Sequence, residues 1–115
     1  MEIERVERAL GRWETRFVAK LMDPDEAARL PPAGPERALA LAHAIAGKEA
    51  ASKAIGTGWT RGVRWRDVVV DPGAPSVSLA GRALDFARRL GSSGRGRLVL
   101  GRRGGLVVAE YRLLT

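Results

Sequence analysis

A long alanine- and leucine-rich segment between Pro35 and Gly56 constrains the fold of this 115-residue chain more than any other feature. Proline is favoured at the first position of a helix and glycine just after its last, so the segment predicts one long helix. Its small and apolar side chains suit close packing, and we therefore expect this helix to lie centrally. They are Ala38, Leu41, Ala42, Ile45 and Ala46.

Two further helices are predicted before it. Apolar residues spaced by three and four indicate one helix over residues 2–20 with a single buried stripe. The stripe consists of Ile3, Val6, Leu10, Trp13 and Phe17. Asp23 can cap a short second helix, with Pro24 at its first position and Glu26 three residues after the cap.

The second half of the chain favours strands. Residues 63–70 and 76–80 read as two strands joined by a turn at 71–75, and residues 97–100 and 106–114 as a hairpin around 101–105. A helix is expected over 81–90, with Leu84, Phe86 and Leu90 in the core. The fold class is therefore α+β, a small antiparallel sheet packed with a long central helix, in a single domain over residues 1–115. We expect Trp13, Trp59, Trp65 and His43 to be structural.

Composition excludes several classes. The chain has no cysteine, so it has neither disulfides nor cysteine metal sites, which is compatible with the cytosol. No apolar run approaches the ~20 residues needed to cross a bilayer, and the charged N-terminal stretch lacks the apolar centre of a signal peptide.

The net charge is +7, from 20 basic and 13 acidic residues. Such a surface attracts nucleic acid, an acidic membrane or an acidic protein. Charge alone does not discriminate between these partners.

Residues 46–59 combine an acid, two lysines and a glycine-flanked hydroxyl. Glu49 and Lys53 are four apart and share a helical face, and Lys48 is next to Glu49. A carboxylate can hold Mg²⁺ and lysines can neutralise phosphate, while glycines let the backbone approach a ligand. The alternative is a solvated helix face that ends in a glycine cap.

The sequence of this segment, KEAASKAIGTGW, resembles the signature of holo-acyl-carrier-protein synthases, the small 4′-phosphopantetheinyl transferases. MEIERVERAL is similar to the first helix of that family. RFVAKLMDPDEAARL is similar to its R-F-x-x-R-x-(F/L)-T-x-x-E stretch. RGVRWRDVVVDPGAPSVSLAGRAL resembles its D-I-x-V…G-x-P-x-V-x-L-x-G-x-A segment, so the resemblance runs in register from Glu2 to about Leu90.

The resemblance implies transfer of phosphopantetheine from coenzyme A to a serine of an acidic acyl carrier protein, with Mg²⁺, for fatty acid synthesis in the cytoplasm. It implies that Glu49 binds the metal, that Lys53 lies near the phosphates and assists proton transfer, and that Lys48 contacts the nucleotide. Coenzyme A would also contact Gly56, Thr57 and Gly58. The carrier protein would dock on the first helix, at Arg5, Arg12, Arg16, Phe17 and Lys20. Family members are commonly homotrimers with sites between subunits, so we expect a homotrimer and neither membrane nor nucleic-acid binding.

The chain departs from the family pattern at both ends and at one position in the central helix. The aspartate that supplies a second metal carboxylate would fall just before Met1, which predicts an earlier start with a G-x-D strand paired to the C-terminal strand. The C-terminal H-x-S-x-(S/T)-H is replaced by residues 97–102, and an arginine before the Lys-Glu pair by Ala44. The alternative function is a non-catalytic basic module that binds RNA or a carrier protein and keeps the fold without the site.

Overall fold

A computed structural model describes residues 1–71 and 74–115, and it has the expected α+β architecture. The helices and strands follow in chain order. They are α1 (Ile3–Leu21), α2 (Pro24–Ala28), α3 (Gly34–Ala54), a 3₁₀ turn (Trp65–Asp67), β1 (Val68–Asp71), β2 (Ser76–Leu79), α4 (Gly81–Arg89), β3 (Arg95–Arg103) and β4 (Leu106–Leu113).

The four strands form one antiparallel sheet in the order β1-β2-β3-β4. At the β4 edge, Glu2 forms a bridge with Leu106. The N-terminal amine of Met1 donates to the Val107 carbonyl at 2.6 Å, and the Val107 N–H donates to the Met1 carbonyl at 2.8 Å. The start of α1 is therefore attached to the edge that was predicted to hold an N-terminal strand.

Helix α3 lies centrally, as predicted, between α1 and the sheet. Its first half packs with α1, through Leu41 and Val6, and its second half packs with β1 and β2. A Cβ added at Gly47 would lie 3.1 Å from Val70 Cγ2, so glycine permits the close approach of α3 to β1.

The predicted N-terminal cap of α2 and the predicted glycine stop after α3 are confirmed. The Asp23 carboxylate accepts from the Glu26 N–H at 2.8 Å and caps α2, with Pro24 in the first turn. Helix α3 ends before Gly56, whose φ of +82° is the left-handed conformation that glycine favours.

Two residues assigned to the core are exposed. Trp13 has non-helical backbone angles (φ −134°, ψ 29°) inside α1, and this kink turns its side chain out of the stripe, leaving it 54% exposed. Leu90 lies just past the end of α4 and is 51% exposed. The predictions that Trp13 and Leu90 pack in the core are therefore wrong, whereas Phe86 is buried.

The strands begin and end at other residues than predicted. Residues 65–67 form a 3₁₀ turn because Asp67 bonds back to the backbone N–H of Arg64, so β1 begins only at Val68. Strand β3 begins at Arg95 and extends to Arg103, which makes the hairpin longer than expected. Of the predicted turn at 71–75, Pro72 and Gly73 lie outside the described residues. No helix in residues 1–71 or 74–115 combines the length and apolarity needed to cross a membrane.

Candidate active site

A cleft of about 300 Å³ opens between α1 and α3, beside the 3₁₀ turn. Helix α1 supplies one wall, and Ile45 and Glu49 of α3 supply another. The lining residues are Met1, Arg5, Val6, Ala9, Phe17, Lys20, Leu21, Ile45, Glu49 and Trp65. Elements that are distant in the sequence therefore meet at Glu49.

Glu49 is half-buried and is available to a ligand. In the part of the chain that the structure describes, its carboxylate takes part in no ion pair. Arg5 and Lys20 line the same cleft, so the site places one carboxylate near two cations. Such a combination suits a ligand that carries both a divalent metal and phosphate groups.

The residues predicted to dock a carrier protein divide into two groups. Arg5, Phe17 and Lys20 line the cleft with Glu49. Arg12 and Arg16 are exposed on α1 and lie outside the cleft lining. The structure thus joins three of the five to the candidate metal ligand and leaves two on the surrounding surface.

Lys53 follows Glu49 by one helical turn on α3 and is exposed. It is not among the residues that line the cleft. The side chain of Lys53 is accessible, but within this single chain it lies outside the cleft that Glu49 lines.

Lys48 does not make the predicted surface contact, because its side chain is fully buried. Its Nζ donates to Glu26 Oε1 at 2.8 Å, to the Trp65 carbonyl at 3.1 Å and to the Val68 carbonyl. Burial lowers the pKa of Lys48 despite the opposing Glu26 charge, and burial raises the pKa of Glu26 despite the ammonium beside it. The prediction that Lys48 touches a nucleotide is therefore wrong for this chain.

The Gly56-Thr57-Gly58 segment is a helix stop, which was the simpler of the two interpretations. The Gly56 N–H donates to the Lys53 carbonyl at 3.0 Å, and the N–H groups of Thr57 and Gly58 donate to the Ser52 carbonyl at 3.3 and 3.1 Å. The Thr57 hydroxyl donates to the Gly58 carbonyl at 2.9 Å. The donors predicted to bind phosphate are therefore already used within the chain.

An aromatic pair follows this segment. The rings of Trp59 and Trp65 stack with centroids 3.9 Å apart and an interplanar angle of 20°. Both were predicted to be packing residues, and the stack confirms that for Trp59. Trp65 packs too, but it also forms part of the cleft wall.

Sequence reasoning placed Glu26 only in the cap of α2, and it missed both the burial of Lys48 and the pairing of the two side chains. A signal was present, because Lys48 continues the spacing of Leu41, Ala44 and Ala51, all of which are buried. A lysine in such a stripe requires a buried acid as partner.

The donor set of the cleft fits Mg²⁺ together with a phosphate ligand. Within residues 1–71 and 74–115, no group of three or more His, Cys, Asp or Glu side chains is placed to hold a metal. Mg²⁺ commonly takes only one or two carboxylates and completes its shell with water and substrate phosphates. The single carboxylate of Glu49, open to the cleft, is consistent with that mode.

Comparison with known proteins identifies the family. A family model described as the 4′-phosphopantetheinyl transferase superfamily matches residues 1–109. The chain belongs to this superfamily of enzymes. It is 44% identical over 119 residues to a holo-[acyl-carrier-protein] synthase of Anaeromyxobacter dehalogenans, covering 98% of this chain and 89% of the relative. It is 41% identical over 97 residues to that of Alkalilimnicola ehrlichii, covering 82% and 76%.

Solved structures confirm the fold. The holo-[acyl-carrier-protein] synthase of Neisseria meningitidis matches with a TM-score of 0.80 at 25% identity, covering 100% of this chain and 93% of that one. That of Helicobacter pylori, solved in complex with coenzyme A, matches with a TM-score of 0.76 at 19% identity, covering 99% and 95%. The predicted phosphopantetheinyl transferase-like fold is confirmed.

Proposed function

We propose that this chain is a holo-acyl-carrier-protein synthase that transfers 4′-phosphopantetheine from coenzyme A to a serine of an acidic carrier protein. One observation carries the proposal. The cleft unites Glu49, from the segment that resembles the family signature, with Arg5, Phe17 and Lys20, from the helix expected to dock the carrier. The two substrates would then meet at one place. Coenzyme A is also the molecule bound in the Helicobacter pylori structure that shares this fold.

In this reaction the serine oxygen attacks the phosphorus that carries the pantetheine arm. The pyrophosphate bond breaks, adenosine 3′,5′-bisphosphate leaves and the serine proton is released. Glu49 would hold Mg²⁺, which neutralises pyrophosphate charge when it is bound. Arg5 and Lys20 would bind phosphate or the acidic carrier, since phosphoryl transfer depends on positioning and charge neutralisation. Lys53, exposed one turn beyond Glu49, would assist the proton transfer at the edge of the site.

We also propose a homotrimer: an exposed apolar face on the hairpin supports self-association, and the family resemblance supplies the number of subunits. On β3 and β4, Val99 is 58% exposed, Val108 47% and Leu106 42%. A small domain that exposes such a face gains by burying it against another copy. Light scattering that gave a stable monomer at micromolar concentration would count against a trimer. Fatty acid synthesis as the pathway and the cytoplasm as the compartment rest on the family resemblance.

Mass spectrometry tests the transfer directly. Apo carrier protein incubated with coenzyme A, Mg²⁺ and this chain should gain the mass of one phosphopantetheine on its serine. Glu49→Gln should abolish the gain while the fold is kept, because Glu49 forms no ion pair within the described residues and a neutral isostere there should change stability by about 0.5 kcal/mol or less. Glu36→Gln, exposed in the first turn of the same helix and outside the cleft lining, is the matched control and should leave initial rates unchanged.

The net charge of +7 favours a basic RNA-binding module as the second candidate. An RNA binder should bind generic RNA with a steep salt dependence. Submicromolar RNA binding near physiological salt, without carrier modification or carrier binding, would favour that function over the transferase.

A further inference from the structure

A buried ion pair between α2 and α3 lies directly beside the candidate active site. Lys48 and Glu26 expose 0% and 3% of their side chains, and Lys48 Nζ lies 2.8 Å from Glu26 Oε1. Neither side chain lines the cleft. A role for this pair in the reaction therefore has to act through other residues.

The polar atoms of the pair are bonded in several directions. The Lys48 ammonium has three donors, and it donates to Glu26 and to the carbonyl oxygens of Trp65 and Val68. Glu26 Oε2 accepts from the Val70 N–H at 3.0 Å. These bonds join α2, α3, the 3₁₀ turn and β1 at one point.

Stability alone does not explain two charges at this position. Burying them removes their hydration, and apolar pairs of similar volume are often as stable or more so. An apolar side chain at position 48 would fill the space, but it would form no bond to Trp65 or Val68. The ion pair differs from such a replacement because its hydrogen bonds hold the Lys48 side chain in one direction.

Direction at position 48 matters because Glu49 is the next residue on α3. With 3.6 residues per turn, anchoring Lys48 toward the core sets the angle at which Glu49 leaves the helix. The same ammonium holds the Trp65 backbone, and the Trp65 and Glu49 side chains both line the cleft. The pair therefore fixes two parts of the cleft relative to each other.

We propose that Glu26 and Lys48 form a positioning pair that directs Glu49 into the cleft. The inference rests on the proposed function, in which Glu49 holds the metal. Glu26 touches neither substrate nor metal; it acts through Lys48 and the backbone of α3.

The test is the double variant Glu26→Gln with Lys48→Met, which removes both buried charges together. Glutamine keeps an oxygen for the Val70 N–H, and methionine is close to lysine in volume. Glu14→Gln is the control, because it removes the exposed ion pair of Glu14 with Arg37, 2.7 Å long and outside the cleft. Circular dichroism and thermal melting establish that each variant folds.

Two measurements are made on the folded variants. In the double variant, kcat should fall about 10- to 100-fold, the usual effect of removing a residue that orients a metal ligand. The KM for the carrier protein should stay within about twofold of the wild type, because the docking surface is unchanged. Three-bond NMR couplings should show one χ1 rotamer of Glu49 in the wild type and an average over rotamers in the double variant. The control should match the wild type in the kinetic measurements and in the couplings. Unchanged kcat with a single Glu49 rotamer in the double variant would overturn the proposal.

Other outcomes are also decisive. If the double variant does not fold, Glu26→Gln alone is judged by the same two measurements. If neither folds, the wild-type couplings decide, and several Glu49 rotamers there would refute positioning. A wild-type chain without transferase activity would refute the proposed function instead, while the couplings still test the pair.

Discussion

Gly96→Ala should destabilise the fold, because Tyr111 occupies the space that a Cβ needs. Gly96 lies on β3 opposite Val77 and Leu113, and Tyr111 pairs with Leu98, two residues further along β3. A Cβ at Gly96 would lie 1.9 Å from Tyr111 Oη, 2.0 Å from Cζ and 2.2 Å from Cε2. Since real Cβ contacts are essentially never under 3.0 Å, the ring must move by about 1.1 Å (3.0 − 1.9).

The expected cost follows from two opposing effects. Overpacking a well-filled site costs typically about 1–3 kcal/mol. Replacing glycine by alanine recovers about 0.4–1 kcal/mol by restricting the unfolded chain. With the middle of each range, the balance is a destabilisation of about 1.3 kcal/mol (2 − 0.7). For a chain of this size that lowers the melting temperature by about 5 °C, at about 4 °C per kcal/mol.

Thermal melting of matched variants measures the effect. Gly105→Ala is the control, because a Cβ there meets nothing within 4 Å and the site has no positive φ. Combining Gly96→Ala with Tyr111→Val should cost less than the sum of the single changes, since valine vacates the space. A Gly96→Ala chain that melts within 1 °C of the wild type, or strict additivity in the double variant, would refute the steric argument.

Three further predictions concern pH and capping. Burial, and secondarily the Arg102 charge, lower the pKa of His43 from 6.5. The unfolded chain therefore binds more protons than the folded chain, and stability should fall as pH drops below 6.5. In melting experiments at several pH values, His43→Gln should remove this dependence. Burial raises the pKa of Tyr111 from 10.0 to about 12, so stability should be lost as pH rises from 10 to 12. Absorbance titration of the phenol measures the pKa, and Tyr111→Phe should abolish this loss of stability. Asp23→Ala should cost about 1 kcal/mol by removing the cap on the Glu26 N–H, measured by denaturant unfolding, whereas Asp23→Asn should retain most of the stability.

The parts of the fold that were predictable from sequence are those fixed by local chemistry. The Asp23 cap, the start of α3 near Pro35 and its end before Gly56 each depend on a few adjacent residues. The kink at Trp13 was not predictable, because the residues around it continue a regular apolar spacing and only the packed structure shows the backbone turning. Likewise, the sequence pattern does not reveal that the helix ends before Leu90 and leaves it exposed.

The candidate site likewise combines a feature that the local sequence predicts with one that only packing determines. The signature points to Glu49, and the structure places that side chain in a cleft. Helical spacing puts Lys48 in the buried stripe and Glu49 outside it, but it does not identify the acid that pairs with Lys48. That acid is Glu26, 22 positions earlier in the chain. Long-range partners of this kind are set by packing and not by spacing.

The charges of the cleft lead to a last prediction, that Mg²⁺ and coenzyme A bind cooperatively. Glu49 is one carboxylate in a cleft that also contains Arg5 and Lys20. Two cations oppose a divalent metal on its own, whereas a pyrophosphate brings negative charge that both cations and metal can share. Calorimetry should therefore detect little Mg²⁺ binding without coenzyme A, and coenzyme A affinity should rise about 5- to 150-fold with Mg²⁺, the usual range of coupling between ligands.

By linkage, coenzyme A must raise Mg²⁺ affinity by the same factor, which gives an internal check. Glu49→Gln should remove the coupling, because it removes the carboxylate on which the metal depends. Lys20→Gln should weaken coenzyme A and strengthen the binding of Mg²⁺ alone, since it removes one opposing cation. Tight Mg²⁺ binding by the free wild-type chain, unaffected by Lys20→Gln, would show that the metal does not use this cleft.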